Sequence, residues 1–174
     1  MAALAVQTLA GTAGQVIHQS IEQWAYPPAA FHLVISRLAL QYIDDLATVC
    51  RDVFHALVPG GVFVFSVEHP VITSCDRGWP TGTLRQDWVV DDYFTPGLWV
   101  TNWLGGTVQK YHRTIEDHFV LLQQAGFAIE QLPEAQTQRD YFHNQETYER
   151  RKRIPLFLLL AARKPTESKQ NAQP

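Results

Sequence analysis

Two short polar stretches, each directly after an apolar run, carry the residues that could do chemistry. Ser36 and Arg37 end one apolar run, and Glu68 and His69 follow another. In an α/β sheet, ligands bind beyond the carboxyl ends of the parallel strands, so both stretches are candidate site positions. An imidazole that titrates near neutrality can orient or deprotonate a substrate, which makes His69 a candidate catalytic residue that Glu68 could tune. The alternative is that His69 and the proline after it simply end a strand.

A strand–helix–strand unit must position these polar residues. The apolar run 31–36 predicts one strand, and the run 62–67 predicts a second that is covered by helices on both faces. Between them, apolar residues recur at helical spacing, namely Leu46, Val49, Cys50, Val53, Phe54 and Leu57. The unit predicts a parallel sheet with a right-handed crossover.

Capping and turn residues predict the ends of that helix. Asp44 or Asp45 can cap its start by accepting hydrogen bonds from free N–H groups. Pro59 is predicted to stop the helix, and the Gly60-Gly61 pair is predicted to supply the turn into the second strand.

The flanking segments add one helix and up to three strands. Thr114 and Asp117 lie at the spacing of a capping box, which predicts a helix over 114–124 that Gly126 ends. Runs with strand character complete the pattern at 15–19, 127–132 and 156–162. Residues 1–9 are compatible with a helix.

Residues 71–113 are the least regular part of the chain and the richest in aromatic side chains. Gly105 and Gly106, between 98–104 and 107–113, predict a hairpin turn. A connection this long within one domain is typically a lid or a binding element. The other interpretation is a minor core beneath a long loop. The aromatic residues of this segment include Trp79, Trp88, Tyr93, Phe94, Trp99, Trp103 and Tyr111.

Composition limits the class of protein. A chain of 174 residues with 46% hydrophobic and 18% charged residues fits one soluble globular domain. The net charge of −3 offers no global field for a nucleic acid or an anionic membrane. No apolar run approaches the roughly 18 residues of a membrane span. Cys50 and Cys75 form no disulfide framework, which favours a cytoplasmic location. Residues 165–174 are predicted to be a disordered tail, and 150–153 a solvated basic segment.

Two motifs resemble a known family. The chain reads F-x-L-V-I-S-x-L-A-L-x-Y-I-x-D from Phe31 and L-V-P-G-G-V-F-V-F-S-V-E-H-P from Leu57, with K-Y-H-R-T at 110–114. Over roughly residues 15 to 164 this resembles class I S-adenosylmethionine-dependent methyltransferases of the type-11-like branch. The resemblance implies an α/β, Rossmann-like three-layer sheet of strand order 3-2-1-4-5-7-6, with an aromatic-rich hairpin insertion at 71–113 in a domain over 1–164.

The resemblance also implies where the cofactor, S-adenosyl-L-methionine, would bind. Ser20 and Ile21 match the positions that meet the adenine, although the family's usual Asp is absent at Ser20. Ser36, Arg37 and Leu38 match the backbone that lines the methionine portion. The alternatives are an ordinary strand end at Ser20, and a strand cap at Ser36 beside a solvated Arg37.

The acceptor side is assigned to the far end of the hairpin. Tyr111, His112 and Arg113 close the hairpin. They could lie over the same site opening as His69 and bind the substrate. Methyl transfer from a sulfonium depends mainly on positioning, so no protein nucleophile and no metal are expected. The G-x-S-x-G turn of a hydrolase is absent, and the seven histidines show no metal spacing.

One family motif is missing from the printed sequence. Class I methyltransferases have a Gly-rich turn after their first strand and an acidic residue after the second, but before Phe31 this chain has only Gly11 and Gly14. Strands 1 and 2 of the family sheet are therefore expected to be absent, as in a truncated enzyme. Two functions stay open: methyl transfer to a small-molecule acceptor, and a non-catalytic remnant or interaction module. The oligomeric state has no sequence signal.

Overall fold

The computed structural model describes residues 2–75, 87–103 and 106–166. Five α-helices lie in these ranges: α1 Ala2–Thr8, α2 Leu46–Ala56, α3 Pro70–Thr73, α4 Ile115–Gln124 and α5 Gln145–Arg151. Six strands accompany them: β1 Phe31–Arg37, β2 Leu57–Glu68, β3 Gly97–Trp103, β4 Gly106–His112, β5 Ala128–Gln131 and β6 Phe157–Arg163. Short 3₁₀ turns lie at Leu40–Tyr42 and Arg139–Tyr141.

The main sheet has four strands in the order β1-β2-β6-β5. Strand β1 pairs with β2 in parallel, with Ile35 opposite Val64. Strand β6 runs antiparallel between β2 and β5, with Ala161 opposite Val64 and Ala162 opposite Ile129. The predicted α/β fold class is confirmed, as is the placement of the last strand between the strands near 62–67 and 127–132.

The core lies between one face of this sheet and a layer formed by α2 and α4. Side chains along β2 alternate, so that Phe63, Phe65 and Val67 are buried on this face. Helix α2 packs against both β2 and α4. The other buried members of the cluster are Leu40, Ile43, Leu46, Val49, Cys50, Val53, Leu57, Leu122, Phe127, Leu158, Leu160 and Ala162.

The opposite face of the sheet is only partly covered. Leu33 and Ile35 of β1 are 51% and 67% exposed, and their β2 neighbours Val62 and Val64 are half-buried. Strand β1 pairs with β2 on one side, and among the described residues no strand pairs with its other side. It is therefore an edge strand that carries two exposed apolar side chains.

The predicted strand at 15–19 is wrong. These residues are irregular, and a turn follows over 21–23. Ile17 is 59% exposed, so the segment has no buried alternating face that would fix it against a neighbouring strand.

The start of α2 was predicted with two possible caps, and Asp45 is the one used. Its carboxylate accepts hydrogen bonds from the Thr48 N–H at 2.9 Å and from the Thr48 hydroxyl at 2.6 Å. The predicted end of the helix is wrong. Helix α2 ends at Ala56, and Leu57 already pairs with Phe31.

The Gly60-Gly61 pair, predicted to be a turn, lies inside β2. Gly60 has φ +82°, and its N–H donates to the Lys164 carbonyl at 2.9 Å. The pairing register with β1 shifts between Phe31 and Leu33, because residues 58–61 of β2 lie opposite His32 alone and interrupt the regular pairing. The Lys164 ammonium donates to the carbonyls of Phe54 and Leu57, which closes the end of α2.

The hairpin and the helix after it match their predictions. Strands β3 and β4 pair antiparallel, with Trp99 opposite Lys110. Helix α4 has a complete capping box between Thr114 and Asp117. Gly126 follows it with φ +100°, where an added Cβ would lie 2.9 Å from the Phe54 ring.

Parts of two predictions fall outside the described residues. The predicted hairpin tip includes 104–105, and most of the predicted tail lies at 167–174. The segment 76–86 of the proposed lid, with Trp79, is likewise outside the description. No described helix is both long enough and apolar enough to cross a bilayer.

The exposed edge generates a testable prediction. Replacing Ile35 by Lys places a charge on an exposed edge position, so we expect the free energy of unfolding to change by less than about 0.5 kcal/mol and self-association to fall. Urea unfolding and sedimentation velocity over a concentration series measure the two effects.

Val34→Lys is the contrasting variant. Val34 neighbours Ile35 but packs against the core, and burying an unpaired ammonium should cost more than about 2 kcal/mol. Equal destabilisation by the two substitutions would contradict the orientation assigned to β1.

Candidate functional site

Three chain segments meet beyond the carboxyl ends of β1 and β2. They are the loop after β1 with its 3₁₀ turn, the end of β2 with α3, and the end of β4. The end of β4 packs against the 3₁₀ turn at Leu40–Tyr42 and against α3. The polar stretches singled out in the sequence therefore lie at one edge of the sheet.

The backbone turns sharply at Leu38. This residue has φ +51°, a left-handed conformation that costs a non-glycine residue about 1–2 kcal/mol. Its N–H donates to the Ser66 carbonyl at 2.9 Å, and its carbonyl accepts from the buried Gln41 amide at 2.9 Å. These two bonds hold a strained turn at the end of β1, and strain of this kind is typical of functional sites.

Two neighbouring cavities lie between the N-terminal segment and the end of β1. Ser36 and Ile21 line an apolar cavity of about 220 Å³, and Ser20 and Ile21 line a second of about 250 Å³. Ile21, Trp24 and Tyr26 line both. The Tyr26 hydroxyl donates to the Ile21 carbonyl at 3.1 Å, and burial raises the pKa of that hydroxyl, so it remains a donor.

The structure thus brings together three of the five residues predicted to bind the cofactor. Ser20 and Ile21 line one of the two neighbouring cavities, and Ile21 and Ser36 line the other. The Ser36 hydroxyl is buried and has no hydrogen-bond partner among the described residues. Leu38 holds the adjacent turn, and Arg37 is exposed.

A buried ion pair connects the hairpin to β2. The Lys110 ammonium donates to both Glu68 oxygens at 2.8 Å, and the two side chains are 9% and 15% exposed. A pair this well shielded is fixed in geometry, because losing either partner would leave the other charge buried. It holds β4 beside the end of β2.

His69 is almost fully buried, at 2% exposure, and both of its ring nitrogens are engaged. The Val71 N–H donates to Nδ1 at 3.2 Å, so Nε2 carries the hydrogen and donates to Glu134 Oε1 at 2.8 Å. Burial lowers the pKa of His69, and Glu134 opposes that shift. His69 therefore caps α3 and presents Glu134, a carboxylate that is 52% exposed.

His112 is also held by bonds at both nitrogens. Its Nε2 lies 2.9 Å from the Tyr93 carbonyl. Because a carbonyl can only accept, Nε2 carries the hydrogen and donates it. The Thr73 hydroxyl bonds the other nitrogen, Nδ1, at 2.7 Å. The ring of Trp99 meets His112 edge-on, with centroids 6.4 Å apart. His112 therefore joins the hairpin, α3 and the aromatic segment.

Arg113 bridges the end of β4 and the loop before α2. Its Nη2 donates to the Ile43 and Asp44 carbonyls at 2.7 and 2.6 Å, while Nη1 is buried with no partner among the described residues. The guanidinium lies 5.6 Å from the Tyr111 ring centroid. Burial lowers the pKa of Arg113. The three predicted substrate residues thus lie beside the loop that follows β1.

His118, on α4, is a buried imidazole that the sequence did not single out for function. Its ring centroid lies 6.1 Å from that of Phe65, and its Nδ1 has no partner among the described residues. Burial, aided by the nearby positive charge of Arg113, lowers its pKa to about 4. It is therefore neutral at pH 7.

Sequence reasoning missed the residues that fix this site. Lys110 belongs to the K-Y-H-R-T motif but was not proposed for the site. Glu134 carried no sequence signal, because its contact with His69 joins residues 65 positions apart. Gln41 is only three residues from Leu38, but it occupies an unspecified position of the first motif. Thr73 lies in the segment 71–113, where the sequence interpretation considered mainly the aromatic side chains.

Metal and thiol chemistry have no visible support in the described part of the chain. No group of three or more His, Cys, Asp or Glu side chains there is placed to hold a metal ion. Burial raises the pKa of the Cys50 thiol to about 12, so it stays protonated and unreactive. The arrangement is suited to positioning a ligand rather than to attacking it.

The comparisons with known proteins agree with this geometry. The model of the family described as "Methyltransferase domain" matches residues 1–65. A solved S-adenosylmethionine dependent methyltransferase from Mesorhizobium loti is 36% identical, with a TM-score of 0.77 over 92% of this chain and 74% of that one. A structure assigned to the same class, from Listeria monocytogenes, is also 36% identical, with a TM-score of 0.75 over 84% and 67%.

A curated relative from Haemophilus influenzae, described as an uncharacterized protein, is 29% identical over 153 residues, which cover 84% of this chain. The chain spans 59% of the length of that relative.

The mixed sheet, with a parallel strand pair and an antiparallel last strand, is that of a Rossmann-like α/β protein, a fold whose ligands bind at the carboxyl edge of the sheet. The two structures that are 36% identical make the assignment specific. The chain belongs to the family of S-adenosylmethionine-dependent methyltransferases.

The buried ion pair is tested by a double-mutant cycle. Lys110→Met leaves the Glu68 carboxylate buried without its main partner, so we expect the free energy of unfolding to fall by about 3 kcal/mol. Adding Glu68→Gln should restore most of that loss, since no lone charge remains. Urea unfolding of the two single variants and the double variant gives the coupling energy. Additive losses would show that the pair is not coupled.

His118 generates a pH prediction. In the unfolded chain its pKa is near 6.5, and in the folded chain it is about 4, so the unfolded state binds the proton more readily. Its contribution is fully present above pH 6.5 and is lost as the pH falls toward 4. At about 1.36 kcal/mol per pKa unit, the loss by pH 4.5 is about 2–3 kcal/mol.

The measurement is urea unfolding of the wild type and of His118→Phe at pH 7 and pH 4.5. The variant has no imidazole to protonate, so its stability should fall by about 2–3 kcal/mol less than that of the wild type. Parallel losses in both proteins would assign the acid sensitivity to other groups.

Proposed function

We propose that this chain takes part in S-adenosylmethionine-dependent methyl transfer to a small-molecule acceptor. The observation that carries the proposal is the apolar cavity lined by Ser36, at the carboxyl edge of β1, and by Ile21, which also lines the neighbouring cavity with Ser20. Ligands of α/β sheets bind at this edge. The two relatives at 36% identity support the same chemistry.

The residues fit parts of the cofactor. An apolar cavity with an unpaired, buried Ser36 hydroxyl suits a ligand that offers both an apolar surface and one hydrogen-bond partner. Ser20 and Ile21 would meet the adenine, and the backbone from Ser36 to Leu38 would support the methionine portion. When bound, the cofactor supplies an electrophilic methyl group on a sulfonium. The turn at Leu38 is fixed beforehand, which limits the ordering cost of binding.

The acceptor would lie over the end of β2. His69 would act as a positioning residue there, because both ring nitrogens are already bonded and its partner Glu134 is the more exposed group. Tyr111, His112 and Arg113 would form the wall on the hairpin side. Their bonds to Tyr93, Thr73 and the 43–44 carbonyls keep that wall in place.

A second function is favoured by a different observation. The exposed edge of β1, with Leu33 and Ile35, offers a surface for pairing with another chain. This feature suits an interaction module that retains the fold without catalysis. Cofactor binding separates the two functions.

Titration with S-adenosylmethionine tests the proposal. Because the Gly-rich turn and the ribose carboxylate are absent from the sequence, we expect a dissociation constant no tighter than about 1 mM, or −4 kcal/mol. Amide signals of residues 20–38 in ¹⁵N–¹H spectra should shift during the titration. Ser36→Leu, which fills the cavity, should abolish the shifts, whereas His32→Ala, at an exposed residue of β1 that lines neither cavity, should not.

Three outcomes would change the proposal. A micromolar constant from a monodisperse sample would show that the cofactor site is misplaced. Shifts confined to other residues would do the same. No shift at any concentration would favour the interaction module. A methyl-deuterated cofactor, incubated with a low-molecular-weight metabolite extract, then reports transfer by the mass of the product.

A further inference from the structure

The two outer strands of the main sheet differ in how their free edges are protected. Strand β5, at one edge, has four residues and carries Glu130, whose carboxylate pairs with Arg163 of the adjacent β6. Strand β1, at the other edge, has seven residues, and its one arginine, Arg37, is its last residue. Short length and charged side chains are common ways of preventing an edge strand from pairing with another chain. The middle of β1 lacks this protection, whereas β5 has it.

The backbone hydrogen bonds around β1 show which of its residues face the free edge. The N–H groups of Ala30 and Leu38, at the two ends of the strand, donate to the carbonyls of Ala56 and Ser66 on the β2 side. In a strand of a parallel pair, the N–H and C=O groups of alternate residues point to the same neighbour. The even-numbered residues therefore point toward β2. The residues whose backbone groups point to the free edge are Phe31, Leu33, Ile35 and Arg37.

The same alternation exposes apolar side chains along this edge. Leu33 and Ile35 are exposed, and Val34 between them packs against the core. Because successive side chains of a strand point to opposite faces, Leu33 and Ile35 lie together on the face away from the core. Unpaired backbone groups and exposed apolar side chains thus occur at the same two residues.

This pattern is complementary to itself. In an antiparallel pair of two copies of β1 centred on Val34, Leu33 of one copy lies opposite Ile35 of the other, and Phe31 lies opposite Arg37. Every residue that points to the free edge then meets another such residue, so their N–H and C=O groups can bond across the pair. The exposed apolar side chains of both copies meet on one face. A centre at Leu33 or at Ile35 would leave one end of the strand without a partner.

We propose that the free edge of β1 binds a second copy of this chain, through antiparallel pairing of Phe31–Arg37 about a two-fold axis at Val34. The two four-stranded sheets then form one continuous sheet. The contact closes at two copies, because both chains use the same edge. The proposal rests on the second proposed function, pairing with another chain, and is independent of methyl transfer.

The area of the contact predicts a weak dimer. A strand of seven residues is about 24 Å long, and pairing one such strand buries less than the roughly 1,600 Å² of a standard protein–protein interface. We therefore expect a dissociation constant of about 10 µM to 1 mM. The weight-average mass in sedimentation velocity should rise with concentration over that range.

Cysteine cross-linking tests the register. Leu33→Cys and Ile35→Cys are prepared as separate variants, and the native Cys50 and Cys75 are buried, so they should not react. Residues opposite each other in a hydrogen-bonded pair have Cα atoms about 5.5 Å apart, a distance that a disulfide spans. In either variant alone the two cysteines lie two residues out of register, beyond the reach of about 7 Å. On non-reducing gels, we expect an equal mixture of the variants to form the linked dimer about fivefold faster than either alone.

A charge substitution tests the surface. Ile35→Lys should weaken self-association by about tenfold or more, because it brings two like charges close to the two-fold axis. Val100→Lys is the matched control, since Val100 is also an exposed apolar strand residue, at 56%, but lies on β3 of the hairpin. It should leave self-association unchanged. Circular dichroism checks that each variant is folded.

Two results would overturn the proposal. One is a monomer at every concentration up to about 1 mM, which would leave the edge to a different chain. The other is faster cross-linking of one variant alone than of the mixture, since like positions, and not Leu33 and Ile35, would then lie opposite each other.

The outcome for the dimer is separable from that for methyl transfer. Ile35 also lines the apolar cavity, so the cofactor titration uses the wild type at a concentration below the dissociation constant of the dimer. Cofactor binding by a chain that stays monomeric at all concentrations would support methyl transfer and overturn the dimer. Dimer formation by a chain that never binds the cofactor would support the dimer and contradict methyl transfer.

Discussion

The pairing of β2 on both of its sides is the constraint on which the rest of the structure depends. One face of this strand buries Phe63, Phe65 and Val67 against α2 and α4, and a shift by one residue would turn those side chains to the other face. The register is therefore fixed from the core outward. It sets where β2 ends, and with it the positions of Glu68 and His69.

Buried polar contacts then fix the segments that surround the carboxyl end of β2. Glu68 bonds Lys110 of the hairpin, and Arg113 bonds the loop before α2. His69 bonds Glu134 across 65 residues of sequence. The His69 ring and the Glu68–Lys110 pair are largely buried, so breaking their bonds would leave a buried polar group without a partner. These side chains are therefore held in place by one another and are not free acids and bases. Such preorganisation suits a reaction that depends on positioning.

Local charge differs from overall charge in this protein. The net charge of −3 offers no global field for a nucleic acid or an anionic membrane, yet three of the ten residues that line the cavity between 133–137 and 151–155 are basic. The fold gathers these residues because β6 brings its leading segment alongside the one that follows β5. Residues 151–153 of the run 150–153, which the sequence predicts to be a solvated segment, thereby line an open cavity together with Glu134.

The sequence by itself determined the strand–helix–strand unit, the hairpin and the capping box of α4, because each depends on short-range spacing or on a local turn. The order of the last strands followed from the family resemblance. Only the tertiary structure decided that 15–19 forms no strand, that Gly60 lies within β2, and which polar groups meet. Those outcomes depend on pairing partners and burial, which join distant segments. Ser36 could be predicted from its place after a strand, whereas Glu134 gains its role only when β6 sets it beside His69.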